Sequence, residues 1–151
     1  MRNTVLFLGR FQPFHLCHEM MYKKASSIFD DVLIGVGSSQ YSRTHKNPWS
    51  YLERKSMIEE VISDAEIYPI DDINDPPHYV EHVEKSIPRS FDVIITGSID
   101  TLKLFSKKYP ILYMRFEGWS GTMIRQNMRN DLDDWKRHVS YSVKSVLKDA
   151  V

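Results

Sequence analysis

Cysteine is almost missing from this chain; Cys17 is the only one. A single thiol cannot close an internal disulfide, so a disulfide framework is excluded and a reducing, cytoplasmic setting is expected. Net charge is missing as well, since lysine plus arginine and aspartate plus glutamate both number 20. That balance argues against a general nucleic-acid-binding surface and leaves room only for a local basic cleft. No apolar run reaches the length that spans a bilayer, so no membrane partner is expected. The run Thr4 to Leu8 is too short for a secretory leader, and no small-residue cleavage pattern follows it. Repeats, linkers and low-complexity segments are also lacking. The 151 residues therefore read as one domain, 1–151, large enough to bury a full core.

What is present is alternation. Strand-like apolar runs cover Thr4–Leu8, Asp31–Gly37, Ala65–Ile70, Phe91–Thr96 and Ile111–Phe116. Each is followed by apolar residues at helical spacing: Leu16–Phe29, Trp49–Ile62, His78–Ile87, Thr101–Lys108 and the region from Gly121 onward. Ser50 and Glu53 are spaced as a capping box. Asp75-Pro76-Pro77 reads as a break before the third helix. Trp135, Val139, Val143, Val146 and Leu147 read as the apolar stripe of a last helix. Such alternation predicts an α/β fold, a doubly wound parallel five-stranded sheet with strand order 3-2-1-4-5. In that order a crevice opens between the ends of the first and fourth strands.

Two constellations face that crevice. Gly9-Arg10-Phe11-Gln12-Pro13-Phe14-His15-Leu16-Cys17-His18 leads from the first strand into the first helix. His15 and His18, three apart, share one side of the first helical turn, where free N–H groups and the helix dipole attract an anion. Imidazoles placed there suit phosphoryl or nucleotidyl transfer, which works by positioning and charge stabilisation. Zinc binding by His15, Cys17 and His18 is the competing chemistry, but no second cluster supplies a fourth ligand at a familiar spacing, so no metal site is expected. Trp119-Ser120-Gly121-Thr122-Met123-Ile124-Arg125 opens the last helical region. Ser120 and Thr122 are candidate caps, Gly121 permits close approach of a ligand, and Arg125 offers a guanidinium fork to a polyphosphate. The loop Ser38–Pro48, with Arg43 and Lys46, leaves the second strand beside the first. Arg54 is either a surface residue or a brace for that loop.

The first constellation resembles the histidine-any-glycine-histidine signature of nucleotidylyltransferases, in the form typical of archaeal-type nicotinamide-nucleotide adenylyltransferases. Gly37-Ser38-Ser39-Gln40 with Asn47-Pro48-Trp49 and Glu53-Arg54 resembles the second block of that family, and Ser120–Arg125 its C-terminal block. The resemblance implies a Rossmann-like nucleotidylyltransferase fold and transfer of AMP from ATP to nicotinamide mononucleotide (NMN), giving NAD and pyrophosphate by direct in-line attack. Arg10, His15, His18 and Arg125 are the implied catalytic residues. ATP would lie along Gly9, Arg10, Phe11, His15, Cys17 and His18. Gly97, Ser120, Gly121, Thr122 and Arg125 would border it from the other side. NMN would meet Phe11, Gln12, Ser38, Gln40, Lys46 and Tyr79, with Tyr79 where the family stacks a tryptophan. Mg2+ would arrive with ATP, no fused hydrolase is expected, and a homo-oligomer such as a hexamer is implied. Two alternatives share these motifs. One is an adenylyltransferase for another phosphorylated acceptor, FMN or phosphopantetheine; the other is an NAD- or NMN-binding protein impaired by Cys17. Cys17 replaces the signature glycine, and its thiomethyl group is expected to crowd ATP by about 1–3 kcal/mol. Arg43 stands where a histidine is common.

Overall fold

The computed structural model describes residues 2–115 and 119–147. Strand β1 (Thr4–Gly9) leads into helix α1 (Leu16–Ile28), and β2 (Asp31–Val36) into α2 (Tyr51–Val61). Next come β3 (Glu66–Pro69) with α3 (Pro76–Ser86) and β4 (Val93–Thr96) with α4 (Ile99–Phe105). The chain continues through β5 (Ile111–Tyr113), α5 (Gly121–Arg129), a 3-10 turn (Asp134–Arg137) and a short α6 (Tyr141–Lys144). The strands form one five-stranded sheet in the order β3-β2-β1-β4-β5, and every pairing is parallel. This is the expected doubly wound topology. β1 sits at its centre, with Val5 paired to Val32 on one side and to Val93 on the other.

The apolar run of β1 is continuous because both its faces are covered. Successive side chains alternate between faces. Val5 and Phe7 enter a core shared with Met21 and Ala25 of α1, Met57 and Ile58 of α2, and Ile124 of α5. Leu6 and Leu8 enter the opposite core, with Val83 of α3 and Phe105 of α4. The helices thus divide between two faces and leave the C-terminal ends of the strands open, where the loops carry the polar motifs.

Several boundaries differ from expectation: β4 begins at Val93, α4 at Ile99, and β5 stops at Tyr113. α3 begins at Pro76, with prolines in its first turn, rather than after a break. The first turn needs no intrahelical N–H donor, and proline's fixed φ suits it. Trp49 lies ahead of α2, fully buried, while Ser50 caps the helix and forms the expected box with Glu53. The last helix, expected to carry the stripe from Trp135 to Leu147, is the larger correction. α5 stops at a Schellman motif, in which Asp131 N–H bonds the Met128 carbonyl (3.1 Å) and Leu132 N–H that of Asn127 (3.0 Å). Asp131 supplies the left-handed residue, φ 53°, that glycine usually supplies. The apolar stripe still serves the core, Val139, Val143 and Leu147 being buried, but it does so from a turn and a short helix. Phe116, expected to end the fifth strand, lies outside the described residues. Among the described residues no helix is long and apolar enough to cross a membrane.

Candidate active site

The crevice divides into two clefts that meet over the end of β1. The first, of about 460 Å³, lies between the N-terminal turns of α1 and α5. All the residues expected at ATP line it, from Gly9 to His18 and from Gly97 to Arg125. The second, of about 510 Å³, lies between the ends of β2, β3 and β4 and contains Ser38, Asp72, Asn74, Asp75, Tyr79 and Asp100. Gly9, Arg10, Thr96 and Ser98 border both, and Arg10 is exposed at the junction.

The first cleft is built from burial of cationic and imidazole groups. His15 occupies the N-cap of α1, where serine or aspartate is the usual choice. Its ring stacks on His18 with centroids 3.7 Å apart, and its backbone N–H donates to His18 Nδ1 (3.2 Å). His18 therefore carries its proton on Nε2. Phe11 meets the His18 ring edge-on and Phe14 stacks against it, which fixes its rotamer. Burial lowers His15 to about 4, helped by His138 nearby. Burial, then the neighbouring His15, pushes His18 well below its ordinary value. Both imidazoles are neutral at pH 7 and offer one N–H each. His15 Nδ1 is buried without a hydrogen-bond partner among the described residues.

Opposite them, Ser120 caps α5 by accepting from Met123 N–H, and Arg125 lies one turn along, almost fully buried. Its guanidinium donates to the Gln12 carbonyl (2.6 Å) and to Thr122 Oγ1 (3.3 Å), and its Nε has no partner among the described residues. Burial, with Arg10 and Arg129 nearby, lowers it to about 10, so it remains a cation with only neutral oxygens as described partners. Gly121 makes this approach possible, because a Cβ there would sit 3.0 Å from the Gln12 oxygen and 3.1 Å from the Arg125 guanidinium. Cys17 lies on the wall between the histidines, partly exposed, its thiol pushed up by burial.

Arg54 is the brace. It is fully buried and donates to the Ser50, Arg10, Gly37 and Ser38 carbonyls at 2.7–3.2 Å. One side chain thereby joins the loop after β1 to the loop after β2. Phe11, Ser38 and Asn74 all have φ between 50° and 54°, a sparsely populated region for residues other than glycine. All three line the clefts.

Several residues expected at the mononucleotide are engaged elsewhere. Gln12 borders the first cleft, its carboxamide clamped to the Trp49 backbone at 3.0 and 3.1 Å. Gln40 pairs with the Asp72 backbone at 2.8 and 2.9 Å and lines neither cleft. Lys46 is exposed and also lines neither. Phe11 is buried and faces only the first cleft. Ser38 and Tyr79 do line the second; Ser38 Oγ donates to Asp72 (2.8 Å), and Tyr79 lies edge-on to Phe105. Arg43, in place of a histidine, pairs with Glu53 (2.7 Å) and supports the loop. Sequence reasoning passed over Asp72, Asn74 and Asp75, although a polar run at the end of a parallel strand is the same signal that marked the first block.

A cytidylyltransferase-like family model matches residues 6–127. The nicotinamide-nucleotide adenylyltransferase of Thermoplasma volcanium is 34% identical, the match covering 97% of this chain and 86% of that protein. This chain is a member of the nicotinamide-nucleotide adenylyltransferase family. The family protein of Picrophilus torridus is 36% identical over 94% of this chain and 88% of its own length. The fold is also that of a bifunctional NMN adenylyltransferase/ADP ribose pyrophosphatase from Francisella tularensis, solved with AMP and manganese. The two agree with TM-score 0.76 and 23% identity, over 98% of this chain and 49% of the longer one. Within the adenylyltransferase family framework, the three sequence blocks occupy one continuous rim: the histidine turn, the Arg54-braced loop and the α5 turn.

Proposed function

We propose that this chain transfers the adenylyl group of ATP to NMN, with ATP in the first cleft and NMN in the second. The observation that carries this reading is the pair of buried, incompletely partnered donors, His15 and Arg125, facing one cleft that joins a second at Arg10. Buried polar groups left unpaired are costly, and an anionic ligand would satisfy both. The 5′-phosphate of NMN attacks the α-phosphorus in line, and the bond to the β-phosphate oxygen breaks. Pyrophosphate leaves without a covalent enzyme intermediate. His18 and His15 donate neutral N–H bonds to phosphate oxygens, while Arg10 and Arg125 supply charge where it accumulates.

The described lining of the first cleft offers Arg10, Arg115 and Arg125 and no carboxylate, so Mg2+ would be brought by the phosphate oxygens of ATP and would draw no charged ligand from it. Among the described residues no cluster of three or more histidine, cysteine or carboxylate side chains forms an alternative seat. In the second cleft Tyr79 offers a ring face to the pyridine. Asp72, Asp75 and Asp100 favour a ring cation bearing an uncharged carboxamide and disfavour its carboxylate counterpart. Gln12, Gln40 and Lys46 are left out of the acceptor site. The lone thiol supports a cytoplasmic setting, and the family resemblance supports a homo-oligomer, which light scattering would measure.

The test is incubation of the full chain with ATP, Mg2+ and NMN, reading NAD and pyrophosphate. FMN, phosphopantetheine and deamido-NMN serve as rival acceptors. No product at any ATP concentration sinks the enzyme reading. Dinucleotide binding without turnover, reversed by Cys17→Gly, would assign the chain to the impaired class instead.

A further inference from the structure

The break after α5 brings His138 between the two anion-binding turns. Its main-chain oxygen accepts the N–H of Leu16, the first residue of α1 (2.9 Å). Its imidazole lies flat on the Trp119 indole, with centroids 4.3 Å apart and planes at 11°. Trp119 directly precedes Ser120, the cap of α5, and lines the first cleft. The segment around His138 is itself anchored. Its N–H bonds the Trp135 carbonyl (2.9 Å), Val139 is buried, and Ser140 Oγ donates to the Glu19 carboxylate of α1 at 2.7 and 2.8 Å. The backbone of His138 thus belongs to α1, while its ring belongs to the loop that opens α5.

We propose that His138 is a positioning residue for ATP: through its stack on Trp119 it fixes the indole as a flat wall of the first cleft. The proposal rests on reading the first cleft as the ATP site. A planar wall held at one angle suits a planar purine, and aromatic pairs gain from offset or stacked geometry beyond the area they bury. Fixing the indole before ATP arrives removes an ordering cost from binding. The imidazole is not among the groups lining either cleft, so it acts on ATP through Trp119 and not by direct contact.

The experiment compares the full wild-type chain with His138→Ala and His138→Phe, measuring ATP and NMN affinity by calorimetry and both KM values with kcat. Substitution of the side chain keeps the carbonyl bond to Leu16, and His138→Phe separates the stack from the imidazole's influence on His15. His138→Ala is expected to weaken ATP binding and raise its KM by about three- to tenfold, in the range of one aromatic pair. Its kcat and its KM for NMN should stay within about twofold, a split the same pair energy implies when only ATP is affected. His138→Phe, which keeps a flat ring, should restore ATP affinity. If the alanine variant does not fold, His138→Leu, close in volume but without a ring, carries the same expectation. Unchanged ATP affinity in a variant lacking the ring overturns the proposal, as does a parallel loss for both substrates or failure of phenylalanine to rescue. A wild-type chain that binds no ATP overturns the functional reading instead.

Discussion

The two clefts are similar in volume and share a border, yet they are built in opposite ways. The first gathers imidazoles and a guanidinium whose partners are missing or neutral, on turns packed tightly enough that a Cβ on Gly121 would press on Gln12. The second gathers carboxyl groups, two of which have side-chain partners: the Asp72 carboxylate accepts from Ser38 Oγ, and Asp75 pairs with His78. An unsatisfied cationic cleft awaits an anion of high charge. A partly satisfied acidic cleft selects by shape and by the sign of one ring charge. The difference separates the task of holding a triphosphate from the task of choosing an acceptor, and Arg10 stands where the two tasks meet.

The contrast can be broken in several places. Arg54→Met should damage both clefts at once, since the loops after β1 and β2 lose their common donor. A stability loss of about 3–5 kcal/mol is expected, several buried carbonyls each losing roughly 1–3 kcal/mol, read by urea unfolding. Acid should act mainly on the first cleft. His15 is held at about 4 in the folded chain against an ordinary 6.5, so the unfolded chain binds more protons between those values. Stability is then full above about pH 6.5 and falls as pH drops toward 4, by about 3 kcal/mol. Melting temperature against pH measures this, and His15→Gln should flatten the slope in that window.

Arg125→Ala and His18→Ala should each lower kcat by about a hundredfold, as the loss of transition-state donors does. Near-normal kcat in both would remove the first cleft from the chemistry. The smallest effect is the sharpest. Cys17→Gly should lower KM for ATP by about tenfold if the thiomethyl group costs about 1–3 kcal/mol of crowding, and should leave KM for NMN unchanged. An unchanged KM for ATP would show that the cleft already accommodates the thiol.

Legibility followed the kind of interaction. The five strands and their order were readable because the central strands are dense apolar runs, strand and helix patterns alternate, and parallel connections obey one handedness. The first cleft was readable because its residues cluster in two short motifs beside strand ends. Of the residues named for the acceptor, Ser38 and Tyr79 line the second cleft, Phe11 and Gln12 the first, and Gln40 and Lys46 neither. Gln12, Gln40 and Lys46 have side chains that suit a ligand, but what decides their role is which backbone lies within reach, and loop paths are not written in residue type. The C-terminal helix misread has a similar cause. Asp131 does the work of a glycine, and a periodic apolar stripe does not reveal that the chain turns beneath it.

The Gln12 carboxamide, closed on the backbone of Trp49 from both its oxygen and its nitrogen, has a consequence for protein engineering. It makes the histidine motif and the asparagine-proline-tryptophan motif a single heritable cassette. Grafting either one alone into a distant homologue would import half a clasp, so swaps between such enzymes should move residues 9–18 together with 47–54.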